Sequence, residues 1–177
     1  MVSGKNRKMC YSTNMSNLKE TTLCYVEKDD CYLMLYRNKK KNDINQGKWI
    51  GIGGHLEEGE TPEQCLLREC MEEANLTLTN YKYRALILFE FYKDGKLDFT
   101  EITHLYTATG FTGNLIECNE GELKWIPKNK IFNLPLWEGD KIFLKKLFDD
   151  QPFFKLKLIY QDGNLPEEGI IFSGESK

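Results

Sequence analysis

A glycine-rich turn that runs directly into an acidic, amphipathic helix constrains this chain more than any other feature. Gly51, Gly53, Gly54 and Gly59 fall within nine positions, which permits tight turns and the close approach of a ligand that a Cβ would block. The sequence Thr61-Pro62-Glu63-Gln64 follows. Thr61 can cap a helix, Pro62 suits its first turn and Gln64 completes a capping box. Leu66, Cys70 and Ala74 then recur at four-residue spacing and form one apolar stripe, while Glu69, Glu72 and Glu73 share a different face. Like charges at i, i+3 and i+4 destabilise a helix by a few tenths of a kcal/mol per pair. A solvated acidic face is the plain alternative, but a divalent cation among the carboxylates reverses the sign of that interaction. Mg²⁺ prefers oxygen ligands and typically takes one or two carboxylates together with substrate phosphates. The glycine turn beside the glutamates favours the metal reading.

Around this segment the chain reads as short strands punctuated by turns. Residues 21–27 and 31–37 flank Lys28-Asp29-Asp30 as a hairpin, and residues 83–92 and 98–109 flank a second turn with Asp94-Gly95 at its tip. Residues 121–127 read as a later strand ended by Pro127. A third hairpin joins FFKLKLIY to EEGIIF through residues 161–164. A second helix is expected from Gly139 to Phe148, with Ile142, Phe143, Leu147 and Phe148 on its apolar side. Strands interleaved with two helices predict an α/β fold, a mixed sheet covered on both faces in α/β/α layers.

The chain has 177 residues, which suits one domain. Residues 1–18 are polar, basic and aperiodic, so a flexible extension is expected there, with Met15 as an alternative start and a single domain over 19–173. A net charge of −3 and a pI near 5.6 give no general field for a nucleic-acid polymer. The six cysteines show no C-x-x-C pair, and neither a signal core nor a membrane-spanning run is visible. Reduced thiols and a cytoplasmic location are the corresponding expectations.

From Gly54 to Leu76 the order is Gly54, five residues, Glu60, seven residues, Arg68-Glu69-Cys70, one residue, Glu72-Glu73, one residue, Asn75-Leu76. This resembles the Nudix box, G-x5-E-x7-R-E-U-x-E-E-x-G-U with U apolar, with six of seven fixed positions present. Asn75 replaces the usual glycine, and asparagine also tolerates the left-handed conformation at a helix end. The resemblance implies a Nudix fold, with a mixed, curved sheet in an α/β/α sandwich. It also implies Mg²⁺, with Mn²⁺ as a substitute, held by Glu69, Glu72, Glu73 and the Gly53 carbonyl. Glu60 and Arg68 are then a structural pair beside Gly54, and Glu57 is a loop carboxylate near the metals.

Beyond the box, LMLYRNKK with GKWIGIGG, IECNEGELKWIP and LPLWEGD resemble the MutT-type branch that sanitises oxidised purine nucleotides. The implied activity is hydrolysis of a nucleoside triphosphate, 8-oxo-dGTP foremost, to monophosphate and pyrophosphate by a metal-activated water. Glu120 matches a loop carboxylate that reaches the metals and can act as base, with Glu122 as the fallback. Arg37 and His55 match phosphate contacts. Trp137, Glu138 and Asp140 match a base-recognition segment, although Trp137 as core and Asp140 as a helix cap are equal alternatives. Ile50 stands where some relatives carry a base-reading asparagine. The implied partner is a small nucleotide, with no membrane and a monomer or weak dimer. Tyr92 keeps dinucleoside polyphosphates open as substrates, and a non-catalytic nucleotide-binding module is the reading of another class.

Overall fold

A computed structural model describes residues 17–173. The expected extension lies outside the described residues except for Asn17 and Leu18, and the first strand already begins at Leu18.

Eight strands form one mixed sheet: β1 (Leu18–Lys28), β2 (Cys31–Arg37), β3 (Trp49–Ile50), β4 (Leu76–Lys93), β5 (Lys96–Gly113), β6 (Gly121–Pro127), β7 (Phe154–Gln161) and β8 (Ile170–Ser173). Their order is β3-β2-β1-β5-β4-β7-β8, with β6 on the other edge of β2. The β1–β5 and β4–β7 pairs are parallel, and the remaining pairs are antiparallel. All three predicted hairpins form. Asp29-Asp30 and Asp94-Gly95 both have positive φ at the two turn positions, the geometry that matches the right-handed twist of a hairpin. The third is looser, because Glu167–Gly169 forms a 3-10 turn before β8 where strand was expected.

Two helices cover the sheet, α1 (Pro62–Ala74) and α2 (Glu138–Phe148). Alternation along the strands assigns side chains to the two faces. Cys24, Val26, Leu33 and Leu35 pack with Leu66, Cys70 and Ala74 of α1. Tyr25, Tyr32 and Met34 pack with Phe143, Leu144 and Leu147 of α2. On α2 the buried side includes Leu144, which the sequence reading omitted, and Ile142 and Phe148 only flank the core. Register shifts along β4 between Leu78 and Tyr81, Tyr83 and Ala85, and Phe91 and Tyr92 curve the sheet.

One irregularity in the sheet creates the site. Val26–Lys28 pairs with β2, but lower down β1 turns away and pairs instead with the glycine segment. The Cys24 and Ile52 amides exchange hydrogen bonds of 2.7 and 2.9 Å, and the Thr22 amide donates to the Gly54 carbonyl at 2.9 Å. Gly53 is required there, because an added Cβ would collide with the Thr22 carbonyl.

Candidate active site

The start of α1 forms as its sequence predicts. The Gln64 amide donates to Thr61 Oγ1 at 3.3 Å and the Thr61 amide to Gln64 Oε1 at 2.9 Å. At the other end Asn75 is left-handed, with φ 55° and ψ 39°, and its amide caps the Cys70 and Met71 carbonyls. Its side chain adds a bond that glycine cannot make, from Nδ2 to the Asn114 carbonyl at 3.0 Å.

Arg68 fastens the glycine loop to α1. Its Nε and Nη2 donate to Glu60 Oε1 and Oε2 at 2.8 and 2.9 Å, and Nη2 also reaches the His55 carbonyl at 3.0 Å. This bidentate contact lowers the Glu60 carboxyl to about 2. Arg68 Nη1 lies 2.7 Å from Glu69 and 3.2 Å from Glu72.

The three helix glutamates occupy different environments. Glu72 is exposed, Glu69 is largely covered and Glu73 is buried, with its Oε2 accepting from the Gly53 amide at 3.1 Å. Burial raises the proton affinity of Glu69, and it lifts Glu73 to about 8, with Glu120 and Glu69 adding repulsion. An added Cβ at Gly54 would lie on the Glu69 carboxylate. The sequence reading has the three side chains converging. In this structure Arg68 holds Glu69 and reaches Glu72 while the Gly53 amide holds Glu73, and among the described residues no three acidic, histidine or cysteine side chains gather tightly enough to hold an ion. The donor chemistry nevertheless fits a hard divalent cation: every candidate atom is oxygen and the carboxylates repel one another, while Cys70 packs into the core and the buried Cys65 thiol is taken up by Thr22, the Gly54 carbonyl and Arg68.

Glu120 joins this centre from the loop before β6. It pairs with Arg37 and Lys40, and although burial pushes its carboxyl up, the two cations hold it below the usual range. Arg37, buried at the end of β2, also lies 2.6 Å from Asp43 and 3.9 Å from Glu73. Glu122 turns outward to Lys124 and Asn38, which removes the fallback for Glu120.

A single cavity of about 510 Å³ continues from here into a chamber of aromatic side chains. Arg37, Gly53, Gly54, His55, Glu57, Arg68, Glu69 and Glu120 line one end, while Trp137, Asp140, Ile50, Phe89, Phe91, Phe99 and Tyr160 line the other. Glu72, Glu73 and Glu60 do not face the open volume. His55 is exposed, and its carbonyl braces Arg68. Trp137 belongs to the chamber wall and is only half-buried. Its Nε1 donates to Asn45 Oδ1 at 2.8 Å, its ring meets Tyr160 edge-on and Lys48 sits over its face. Asp140 makes no side-chain cap. Its carboxyl is buried, and that burial, with Glu101 adding and Lys48 opposing, raises it to about 8.

Two sequence-level assignments change. Glu138 is exposed, pairs with Lys141 at 2.6 Å and lies outside the cavity, because the first turn of α2 points it to solvent. Tyr92 also lies outside the cavity, near the tip of the β4–β5 hairpin and beside Glu90. Sequence reasoning missed Asp43 and Asn45, whose loop carries no periodic signal. It also missed the wall formed by Phe89, Phe91, Phe99, Glu101 and Thr103, whose period-2 alternation on β4 and β5 was legible but had no visible destination.

The NUDIX domain family matches residues 18–147, and the chain therefore belongs to the Nudix hydrolases. Among its relatives is an uncharacterized Nudix hydrolase, YvcI, of Bacillus subtilis, 32% identical over 71% of this chain and 77% of that protein. The oxidized purine nucleoside triphosphate hydrolase of Danio rerio is 31% identical over 64% of this chain and 71% of its own length. The crystal structure of a MutT protein from Bacillus halodurans superposes with a TM-score of 0.77 at 25% identity, covering 89% of this chain and 99% of that one.

Proposed function

We propose that this chain hydrolyses a modified purine nucleoside triphosphate, 8-oxo-dGTP foremost, to the monophosphate and pyrophosphate in a Mg²⁺-dependent reaction that clears damaged nucleotides. The observation that carries this reading is the continuity of the cavity, since one volume joins an oxygen-rich, carboxylate-lined end to an aromatic chamber holding a buried Asp140. Those ends suit the triphosphate and the base respectively.

Glu69, Glu72 and Glu73, with the Gly53 carbonyl and Glu120, would hold the metal, which supplies an activated water and neutralises phosphoryl charge when bound. Arg37 offers a guanidinium to the phosphates from a position already fixed by Asp43. Glu120 can accept a proton, because Arg37 and Lys40 hold it ionised. In the chamber Trp137 presents its ring for stacking, worth ~1–3 kcal/mol per base, with its plane fixed by Asn45, Tyr160 and Lys48. The oxidized purine hydrolase relative from Danio rerio supports the substrate class. The three helix glutamates argue against a non-catalytic binder, and the position of Tyr92 outside the cavity lining weighs against dinucleoside polyphosphates.

A nucleotide panel assayed with Mg²⁺, reading pyrophosphate against orthophosphate, tests the proposal. Release of pyrophosphate from 8-oxo-dGTP is expected. Turnover of a different nucleotide class, with 8-oxo-dGTP untouched, would overturn the substrate assignment.

A further inference from the structure

We propose that Glu101 reads the exocyclic amino group of the bound base, so that the chamber selects amino-bearing purines over their deamino counterparts. The inference rests on the purine-nucleotide reading of the cavity and adds a specificity-determining residue to it.

Phe99, Glu101 and Thr103 alternate along β5 and all three line the cavity. A carboxylate among aromatic rings is costly unless it is held and given a use. Glu101 Oε1 is held, lying 3.3 and 3.2 Å from the hydroxyls of Thr21 and Thr103, which are themselves 2.9 Å apart. Oε2 has no hydrogen-bond or ion-pair partner among the described residues. The nearby cation Lys19 sits over the Phe99 ring instead. A carboxylate fixed through one oxygen and free at the other is a preset acceptor.

Asp140 provides the second, independent observation. It is only 5% exposed, it lines the same cavity, and its carboxyl has no hydrogen-bond partner among the described residues. Burial, with the field of Glu101, keeps a proton on it at neutral pH, so it offers a donor where Glu101 offers an acceptor. Ile50, on the same wall, has no polar side-chain atom to contribute. An acceptor and a donor between aromatic faces suit a flat ring whose edge carries an amino group beside a carbonyl or ring-nitrogen acceptor. They do not suit a phosphate, whose negative charge the Glu101 carboxylate repels. Guanine-type edges meet the requirement, and hypoxanthine-type edges lack the amino group.

Binding of 8-oxo-dGMP and its deamino analogue 8-oxo-dIMP, measured by calorimetry without metal, separates this idea from catalysis. The wild-type protein is expected to bind the amino-bearing nucleotide ~10- to 100-fold more tightly, since a site built to bond a polar group discriminates against its absence. Glu101→Met removes both oxygens at similar volume and should bring the ratio close to one by weakening 8-oxo-dGMP alone. Glu101→Gln keeps an acceptor oxygen and should retain part of the ratio. An unchanged ratio in Glu101→Met overturns the proposal. Equal weakening of both nucleotides in the two variants also overturns it, because that is the signature of a merely structural residue. Should Glu101→Met fail to fold, Glu101→Gln decides by the same ratio: a partial fall supports the proposal and full retention or a common loss overturns it. Turnover in the nucleotide panel tests the reaction separately: a chain that hydrolyses no purine triphosphate but shows the binding ratio loses the proposed function and keeps this inference.

Discussion

Two buried carboxyls, Asp140 and Glu73, make the residue scale testable because each sits where an ionised group is unfavourable. An unfolded aspartate titrates near 4, whereas folded Asp140 is raised by burial to about 8, with Glu101 adding and Lys48 opposing. Between those values the folded chain keeps a proton that the unfolded chain has released, so this group lowers stability progressively as pH rises from about 4 to about 8. Asp140→Asn fixes the neutral form. Urea unfolding of both proteins at pH 5 and pH 8.5 should show the variant gaining on the wild type by a few kcal/mol across that interval. A gap that does not change with pH would count against a neutral Asp140. Glu73→Gln probes the other carboxyl. Fixing the neutral form beside Glu69 and Glu120 should leave the metal-free unfolding midpoint equal or higher. Turnover should fall ~100-fold or more, since metal stabilisation of transition-state charge is worth several kcal/mol. Thermal melts alongside Mg²⁺-dependent kinetics check the pair of outcomes.

At the scale of elements, legibility in the sequence followed periodicity and local stereochemistry. Helix α1 was readable to its caps because Thr61, Pro62, Gln64 and Asn75 act through neighbours in the chain. The hairpins were readable because Asp-Asp and Asp-Gly suit positive φ. The box placed Glu69, Glu72 and Glu73 on one helix, but it could not foresee that Arg68 Nη1 bridges Glu69 and Glu72 while the Gly53 amide takes Glu73. The loop between β2 and β3 was opaque, since its residues are aperiodic and its contact to Trp137 is long-range. Yet Asp43 at its centre accepts from Arg37 Nε at 2.6 Å through one oxygen and from the Asn45 amide at 3.0 Å through the other, while Asn45 Oδ1 holds Trp137 Nε1 at 2.8 Å. One aspartate therefore ties the phosphate-end arginine to the chamber-wall tryptophan. Asp43→Asn should raise KM ~10-fold, the weakening expected from losing one charge-assisted hydrogen bond. Asparagine keeps an acceptor oxygen and Arg37 keeps Glu120, so global stability should fall by only about 1 kcal/mol. Steady-state kinetics set against denaturant melts distinguish this from general unfolding.

Across the whole molecule, the cavity depends on β1 leaving β2 halfway along its length. Thr21, Thr22 and Leu23 are successive residues and so face opposite sides of the strand, yet all three line the cavity. The open volume therefore passes around the diverging part of β1 and meets both layers, the carboxylate helix on one face and the aromatic chamber beside α2 on the other. A ligand spanning it touches residues anchored in both cores, and any ligand that binds only the folded chain stabilises it by mass action. Mg²⁺ at about one hundred times its Kd should contribute ~2.7 kcal/mol, which for a chain of this size raises Tm by roughly 5–10 °C. Adding 8-oxo-dGMP with Mg²⁺ should raise Tm further than either alone, because the two occupy adjoining ends of one cavity. Glu73→Gln should lose most of the Mg²⁺ increment but keep the nucleotide increment, since Glu73 does not line the chamber. Thermal melts over a grid of Mg²⁺ and nucleotide concentrations check all three increments, and loss of both together in Glu73→Gln would show that the two ends are not separate binding regions.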